Sequence, residues 1–304
     1  MTVLKHLFIV NPVAGRGIAL KMVDEIEKIF LELKEKYKDI DYEIVYTKEI
    51  GHATDIAKAY SQKDDYRIYA VGGDGTLNEV LNGMIGSNSS LGCIPGGSGN
   101  DFIKSEVDKF DRKRILLDTI LGNEEEIDVG IINGRYFLNI ASIGFDASVV
   151  VNSEKFKNIK MVPSKFAYIL SVLYTSRNFE NIKAQITIDD IKIDTKVFLV
   201  AVANGRFYGG GVEIAPEADF RDGLFDIVFA ENMTFNKIMK FFPAALMGKH
   251  LGFKEVTLLR GKKVRIVTKE PVFLNVDGEI KALKEADFEI SDKKVKMIIP
   301  KNNK

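Results

Sequence analysis

Cysteine is almost missing from this 304-residue sequence. Cys93 stands alone, which excludes an internal disulfide framework and any Cys₂ or Cys₄ zinc site. Histidine is nearly as scarce, and His6, His52 and His250 lie far apart with no HExxH-type pair to hold a transition metal. Net charge is missing as well. The 43 Lys and Arg balance 43 Asp and Glu, which argues against a protein built to grip nucleic acid. No apolar run approaches the ~18 residues of a membrane span. The apolar start of MTVLKHLFIVNPVAG is too short for a signal peptide and has no small-residue cleavage site behind it. These absences leave a reduced, intracellular, globular chain that meets a membrane only from the cytosol, at its surface. The material for a core is present: 46% of residues are hydrophobic and 28% charged. The length fits two domains of roughly 100–200 residues each.

The first third alternates between two periods. Leu7–Val10 is a short apolar run ending at Asn11-Pro12, and Met22, Ile26, Ile29, Phe30, Leu33 and Tyr37 then fall at helical spacing. Tyr42–Tyr46, Arg67–Val71 and Leu91–Ile94 read as strands, with helices over Gly51–Tyr60 and Thr76–Asn82. This rhythm predicts an α/β domain with a parallel sheet covered by helices, and ligands in such folds bind where strands end and loops begin. From about residue 127 the grammar changes. Ile127–Ile132 and Arg135–Ala141 flank Asn133-Gly134, a type I′ hairpin signal. Further strands are expected at Ile182–Ile188, Lys196–Ala203, Leu224–Ala230, Glu255–Leu259, Lys263–Val267 and Val272–Val276, with helical patches at Ser164–Ser176 and Thr234–Met247. Antiparallel pairing into a mainly β-sandwich second domain is the natural reading. The division is then residues 1–128 and 129–291, with residues 292–304, which hold the last strand, available to complete the first domain. Glu124-Glu125-Glu126 reads as a solvated loop.

Three glycine-rich segments follow strands. Asn11–Gly17 (NPVAGRG) lacks the GK[ST] ending of a Walker A loop. Ile68–Glu79 (IYAVGGDGTLNE) runs from a strand through Gly-Gly-Asp-Gly-Thr into a helix, and Ile94–Asp101 (IPGGSGND) repeats the design. Glycines let a phosphate approach the backbone, and amides at the helix N-terminus point at the anion. Asp74 can hold a cation or a ligand hydroxyl, and Thr76 can cap its helix. Together the loops read as a nucleotide-phosphate cradle. Asp277-Gly278 and Asp222-Gly223, taken alone, read as ordinary turns. Lys155–Lys165 (KFKNIKMVPSK) interleaves lysines with apolar residues, a solvated face or a membrane-docking surface. Aromatic residues at Lys240–Phe242 and around Phe207-Tyr208-Gly209-Gly210-Gly211 offer cover for a lipid headgroup.

NPxxG, GGDGTLNE and PGGSGND, in this order, resemble the catalytic domain of the diacylglycerol kinase family and, more broadly, lipid kinases that include sphingosine and ceramide kinases. Later segments extend the likeness over nearly the whole chain: FLNIASIGFDASV (137–149), APEADFRDGLFDIVF (215–229) and LNVDGE (274–279). The wider superfamily, with similar first domains, includes NAD kinases and phosphofructokinases. The resemblance implies an ATP-dependent lipid kinase that needs Mg²⁺, with diacylglycerol to phosphatidic acid the leading reaction. By the same resemblance, Asn11, Pro12, Val13, Ala14 and Gly15, together with Gly73, Asp74, Gly75, Thr76, Leu77, Asn78 and Glu79, match the ATP-binding loops. Thr47 and Ser98 match residues near the nucleotide. Asp277 matches the proposed general base, with Glu279 a supporting or alternative acceptor. Asp222 matches a structural magnesium site that also uses main-chain oxygens near Asp219 and Leu224, and Arg16, Asp101 and Asp128 match charged residues networked with it. The Ser98 form of the third loop also occurs in sphingoid-base kinases, so a sphingoid base, ceramide or another glycerolipid stays open as acceptor. A NAD-kinase-like enzyme and a non-catalytic nucleotide- or lipid-binding regulator are the remaining alternatives. The expected setting is cytoplasmic, at the inner face of a membrane, with exposed strand edges that leave a homodimer open.

Overall fold

A computed structural model of the chain describes residues 4–37, 39–157 and 164–301, with side chains set aside at 154–157 and 164–169. The first strands are β1 (Leu4–Val10), β2 (Ile40–Tyr46), β3 (Arg67–Gly72), β4 (Ser90–Pro95) and β5 (Asn123–Ile127). Between them lie α1 (Ile18–Lys21), α2 (Val23–Lys36), α3 (His52–Ser61), α4 (Asp74–Met84), α5 (Asp101–Glu106) and α6 (Arg112–Ile120). The next strands are β6 (Gly130–Ile132), β7 (Arg135–Phe137), β8 (Ile140–Gly144), β9 (Ile182–Ile188), β10 (Ile191–Ala203), β11 (Phe207–Tyr208) and β12 (Val212–Glu213). They are followed by β13 (Phe225–Glu231), β14 (Val256–Gly261), β15 (Lys263–Val276), β16 (Glu279–Ile290) and β17 (Val295–Ile299). Three more helices, α7 (Phe145–Lys157), α8 (Ser164–Asn178) and α9 (Phe235–Leu246), flank this second group.

The first sheet has the order β2-β1-β3-β4-β17-β5. All neighbours are parallel except β17 and β5. Alternate residues of its central strands feed two cores. Leu7, Ile9, Ile68 and Ala70 pack against α3 and α4, while Phe8, Val10, Tyr69 and Val71 pack with Ile26 and Phe30 of α2. The expectation of a parallel α/β unit is therefore met, and the last strand lies inside its sheet. Glu124-Glu125-Glu126 is not a loop. It forms most of β5, an antiparallel edge strand whose glutamates face solvent, the charged edge that discourages further pairing.

The second sheet is antiparallel, as the β-rich pattern implied. Its path is β14-β13-β10-β8-β15-β16-β6-β7. The long strands β10 and β15 each pair with β8 at one end and with β9 at the other. That double pairing folds the sheet into layers around Phe137, Ile186, Phe225 and Phe288, while α9 and part of α7 and α8 cover another face through Phe145, Phe198 and Phe241. Two strand readings need correction. Lys263–Val267 and Val272–Val276 are one strand interrupted by a register shift, and the Asn133-Gly134 hairpin joins only the short β6 and β7. Both central residues of that turn have positive φ, 45° and 83°, as a type I′ turn requires. Among the described residues, no helix is long and apolar enough to cross a membrane.

Candidate active site

The three glycine loops converge at the ends of β1, β3 and β4, and they do so by interlocking. A Cβ on Gly15 would run into the carbonyl oxygen of Gly96, and one on Gly97 would run into Gly73. Asn11 Nδ2 donates to Thr76 Oγ1 at 3.2 Å, and the Asn11 amide bonds Val71 O at 3.0 Å. Several glycines thus serve loop-to-loop contact as well as any ligand. Gly75 is different. Nothing lies within 4 Å of its would-be Cβ. Thr76 does not cap its helix, because α4 begins two residues earlier at Asp74, and its hydroxyl instead receives Asn11.

A groove runs beside these loops. Asn11, Pro12, Val13, Thr47, Thr76 and Glu79 line it together with Lys48 and Ile50. Val13 and Ile50 are 79% and 93% exposed, an apolar rim on an otherwise polar groove. Glu79 Oε2 accepts from the Ala53 amide at 3.2 Å, holding the start of α3 in place. Ala14 packs against the core beneath the first sheet and Leu77 is buried in the other one. Ser98 and Arg16 are exposed on their loops.

Asp74 organises the far side. Its Oδ1 accepts from the amides of Asp101 and Phe102, at 2.7 and 3.3 Å, which fixes α5 against the glycine loop. Burial first, then the charge of Asp101, holds the Asp74 carboxyl above its ordinary range. Asp101 in turn reaches the second unit, where its Oδ2 accepts from Gly210 N at 2.8 Å.

The DGE turn closes the site. Asp277 and Gly278 both have positive φ, 45° and 94°, and link β15 to β16 as a two-residue hairpin. The carboxylate of Asp277 accepts from the amides of Leu138, Asn139 and Ile140 at 3.1–3.2 Å and from Asn78 Nδ2 at 2.9 Å. Dense packing outweighs those hydrogen bonds and, with the nearby Asp74 charge, pushes Asp277 up to about 6, although the residue keeps a partly exposed edge. Glu279 is committed elsewhere. Arg135 grips both its oxygens and also donates to Asn78 Oδ1 at 3.0 Å. Asn78 Nδ2 further bonds Tyr136 O at 3.1 Å. One amide side chain therefore ties the glycine-loop helix to the DGE turn and to β7.

Two sequence comparisons bear on this arrangement. Residues 5–132 match the diacylglycerol kinase catalytic domain, and residues 139–299 match the YegS C-terminal NAD kinase beta sandwich-like domain. The chain belongs to the diacylglycerol kinase family. It is similar to the diacylglycerol kinase of Bacillus subtilis strain 168, with 27% identity over 96% of this chain and 95% of that one. YtlR of the same strain, provisionally named a lipid kinase, is 32% identical over 90% and 92% of the two chains. A Bacillus anthracis str. Sterne crystal structure, provisionally titled a diacylglycerol kinase, superposes with a TM-score of 0.74 at 28% identity and covers 97% of this chain and 96% of its own.

Within this family member, the residues matched to a structural magnesium form a charged corner. Asp222 accepts from the Leu224 amide at 3.0 Å and pairs with Arg260, which also bonds Asp226 at 3.2 Å. Asp219 Oδ1 accepts from Arg221 N at 3.1 Å, and Asp128 accepts from Gly223 N and from Lys294 at 2.8 and 2.9 Å. Asp101 meets Gly210 rather than this corner. Among the described residues, no three His, Cys, Asp or Glu side chains are arranged to hold a metal. As placed, the corner balances its acids with its own cations.

Sequence reasoning passed over Arg135, Lys48, Asp146 and Asn275. Arg135 carried a faint signal, since it follows Asn133-Gly134 and so falls at a hairpin end. The apolar cavity near Asp146 is assembled from five separated stretches; the aromatic patches at 207–211 and 240–242 signalled two of them, through Tyr208, Gly209, Phe241 and Phe242, while the stretch that carries Asp146 had no such signal.

Proposed function

We propose that this lipid kinase transfers the γ-phosphoryl group of ATP to the free hydroxyl of diacylglycerol, giving phosphatidic acid and ADP at a membrane surface. The observation that carries this reading is the Asn78–Asp277 hydrogen bond, which sets an acid against the helix of the glycine loop. ATP lies along the groove of Asn11, Pro12, Val13, Thr47, Thr76 and Glu79, where the exposed Val13 and Ile50 suit a flat base. The amides of Gly75 and Thr76, which lack intrahelical acceptors, face the phosphates, and Ser98 and Arg16 stand on loops that can reach them. The lipid chains enter an apolar cavity beside α7 and α9, lined by Phe145, Val149, Phe198, Ile238, Phe241 and Phe242.

Asp277 accepts the proton of the attacking hydroxyl as the new O–P bond forms and the bond to ADP breaks. Its oxygens already accept four hydrogen bonds. The hydroxyl approaches along the partly exposed edge of the carboxylate, beside Asn78, whose amide is also anchored on Tyr136 O and stays in place. Glu279, held by Arg135, orients rather than accepts. Burial chiefly raises both Asp74 and Asp277, and a neighbouring carboxylate charge adds to each shift, an acidic setting that fits a divalent cation bound with the nucleotide. Mg²⁺ there would neutralise phosphate charge, and Asp74, the first residue of α4, would hold it. A structural Mg²⁺ at Asp222 would require Arg260 to leave that carboxylate.

The test is a labelled-ATP assay on mixed micelles with identification of the lipid product. Labelled phosphatidic acid is the expected outcome. Label in a sphingoid base or ceramide moves the acceptor, label in NAD moves the enzyme class, and no ATP consumption across the panel leaves only a binding regulator.

A further inference from the structure

The apolar cavity has one polar end. Among the described residues that line it, Asp146, Asn275 and Tyr208 alone carry polar side-chain atoms, and none of these is a cation. Asp146 and Asn275 form a cluster with Ser142. Ser142 and Asn275 are cross-strand partners in β8 and β15, and Asp146 stands at the start of α7, which follows β8 directly. Ser142 Oγ donates to Asp146 Oδ2. Asn275 Oδ1 accepts from Gly278 N at 3.0 Å, which couples the cluster to the turn that carries Asp277.

Asp146 Oδ1 is buried and has no hydrogen-bond partner among the described residues. Nearby amides and the Asn275 side chain are close enough to draw its pKa down, yet burial prevails and holds the carboxyl above its ordinary range. No salt bridge reaches it among the described residues. A carboxyl in this position is an anomaly that requires a reason, since a buried polar group without a partner costs about 1–3 kcal/mol. In its acid form, a carboxyl donates one hydrogen bond. With apolar walls around it, the complement is a carbonyl oxygen flanked by hydrocarbon chains. Diacylglycerol offers this group and, apart from the reacting hydroxyl, no donor of its own.

We propose that Asp146, as a carboxylic acid, donates a hydrogen bond to an ester carbonyl of the acyl linkage beside the reacting hydroxyl, and so selects ester-linked acceptors. This rests on the diacylglycerol reading above. Ser142 and Asn275 are positioning residues that hold the carboxyl toward the cavity and keep that end of it in step with Asp277.

The experiment compares a diacylglycerol with its dialkyl ether analogue, which keeps the hydroxyl and chains but lacks both carbonyls. Micelle binding and kcat/KM are measured for the intact protein and for Asp146→Asn and Asp146→Leu. The wild type should favour the diester by ~10-fold in both measures, the size of one hydrogen bond. Asp146→Asn retains a neutral donor and should keep most of that preference. Asp146→Leu should lose it by falling to the diether level, with ATP affinity unchanged. Equal binding of diester and diether by the wild type overturns the proposal, and so does a preference that survives in Asp146→Leu. Diester-selective binding without any phosphorylation would instead overturn the diacylglycerol kinase reaction while leaving Asp146 as the carbonyl reader. Should Asp146→Leu fail to fold, the wild-type ratio and the Asn variant still decide.

Discussion

Asn78 Nδ2 donates to Asp277 Oδ2 at 2.9 Å, joining residues 199 positions apart. The bond crosses from α4, whose N-terminus carries the glycine loop, to the turn between β15 and β16. In the proposed reaction, this is where a phosphate held by α4 would meet an acceptor hydroxyl.

Loss of this bond should slow transfer more than it weakens binding. Asn78→Ala is expected to lower kcat by roughly 10- to 100-fold, the range for a hydrogen bond to a charged group. Because the Asn78 bond favours the ionised carboxylate, its removal should also move the acid limb of the pH profile upward. A KM effect on ATP alone, with kcat unchanged, would contradict this placement.

Asp277→Asn should cut phosphoryl transfer by about 10²–10⁴-fold, the usual contribution of a positioned base. ATP affinity, measured by calorimetry, should stay nearly unchanged, since the groove residues lie on other loops. Glu279→Gln should cost less than about tenfold, because a partly exposed ion pair contributes little and Arg135 can still bond the amide. Equal losses in the two variants would make Glu279 the proton acceptor instead.

The pH profile follows from the raised carboxyl of Asp277, at about 6 against an ordinary 3.8. The active form is the deprotonated one. The rate constant kcat/KM should therefore be on its plateau above pH 7 and fall as pH drops through about 6, tenfold per unit below it. A profile flat down to pH 4.5 would exclude Asp277 as the base. For folding the sign is opposite in sense. A carboxyl raised by burial disfavours the folded state when ionised, so its contribution to stability improves as pH falls from 6 toward 4.

Two glycines should separate structure from ligand contact. Gly15 has φ 57° and faces Gly96 O, so Gly15→Ala should destabilise the fold by roughly 1–3 kcal/mol or more through overpacking and lower Tm. Gly75 lies in α4 with open space around it. Gly75→Ala should leave Tm unchanged or raised, while weakening ATP binding because the methyl group occupies the phosphate approach. Intact ATP affinity in Gly75→Ala would remove that loop from the nucleotide.

The sequence by itself determined the grammar of the first sheet, since alternate apolar residues of β1, β3 and β4 must face two helical layers. It also determined where the chain turns. Asn133-Gly134 and Asp277-Gly278 adopt the positive φ angles that few other pairs accept, and the glycine loops fall at strand ends. It did not show β16, because Glu279–Ile290 is charged at most exposed positions and lacks the apolar run of a buried strand. Nor did it show that Glu124–Glu126 pairs at an edge, where solvation replaces packing as the constraint. The site itself was decided by tertiary structure. Asp277 reads as a plain turn residue until the fold brings three amides and Asn78 around it. Asp146 is one residue of the 137–149 motif, in a stretch the sequence did not mark as helical, until β8, β15, α7 and α9 enclose it at the end of an apolar cavity. Turn chemistry and periodicity are local and can be read along the chain. The shifted acidity of a carboxyl depends on which distant atoms displace its water, and only the folded chain supplies them.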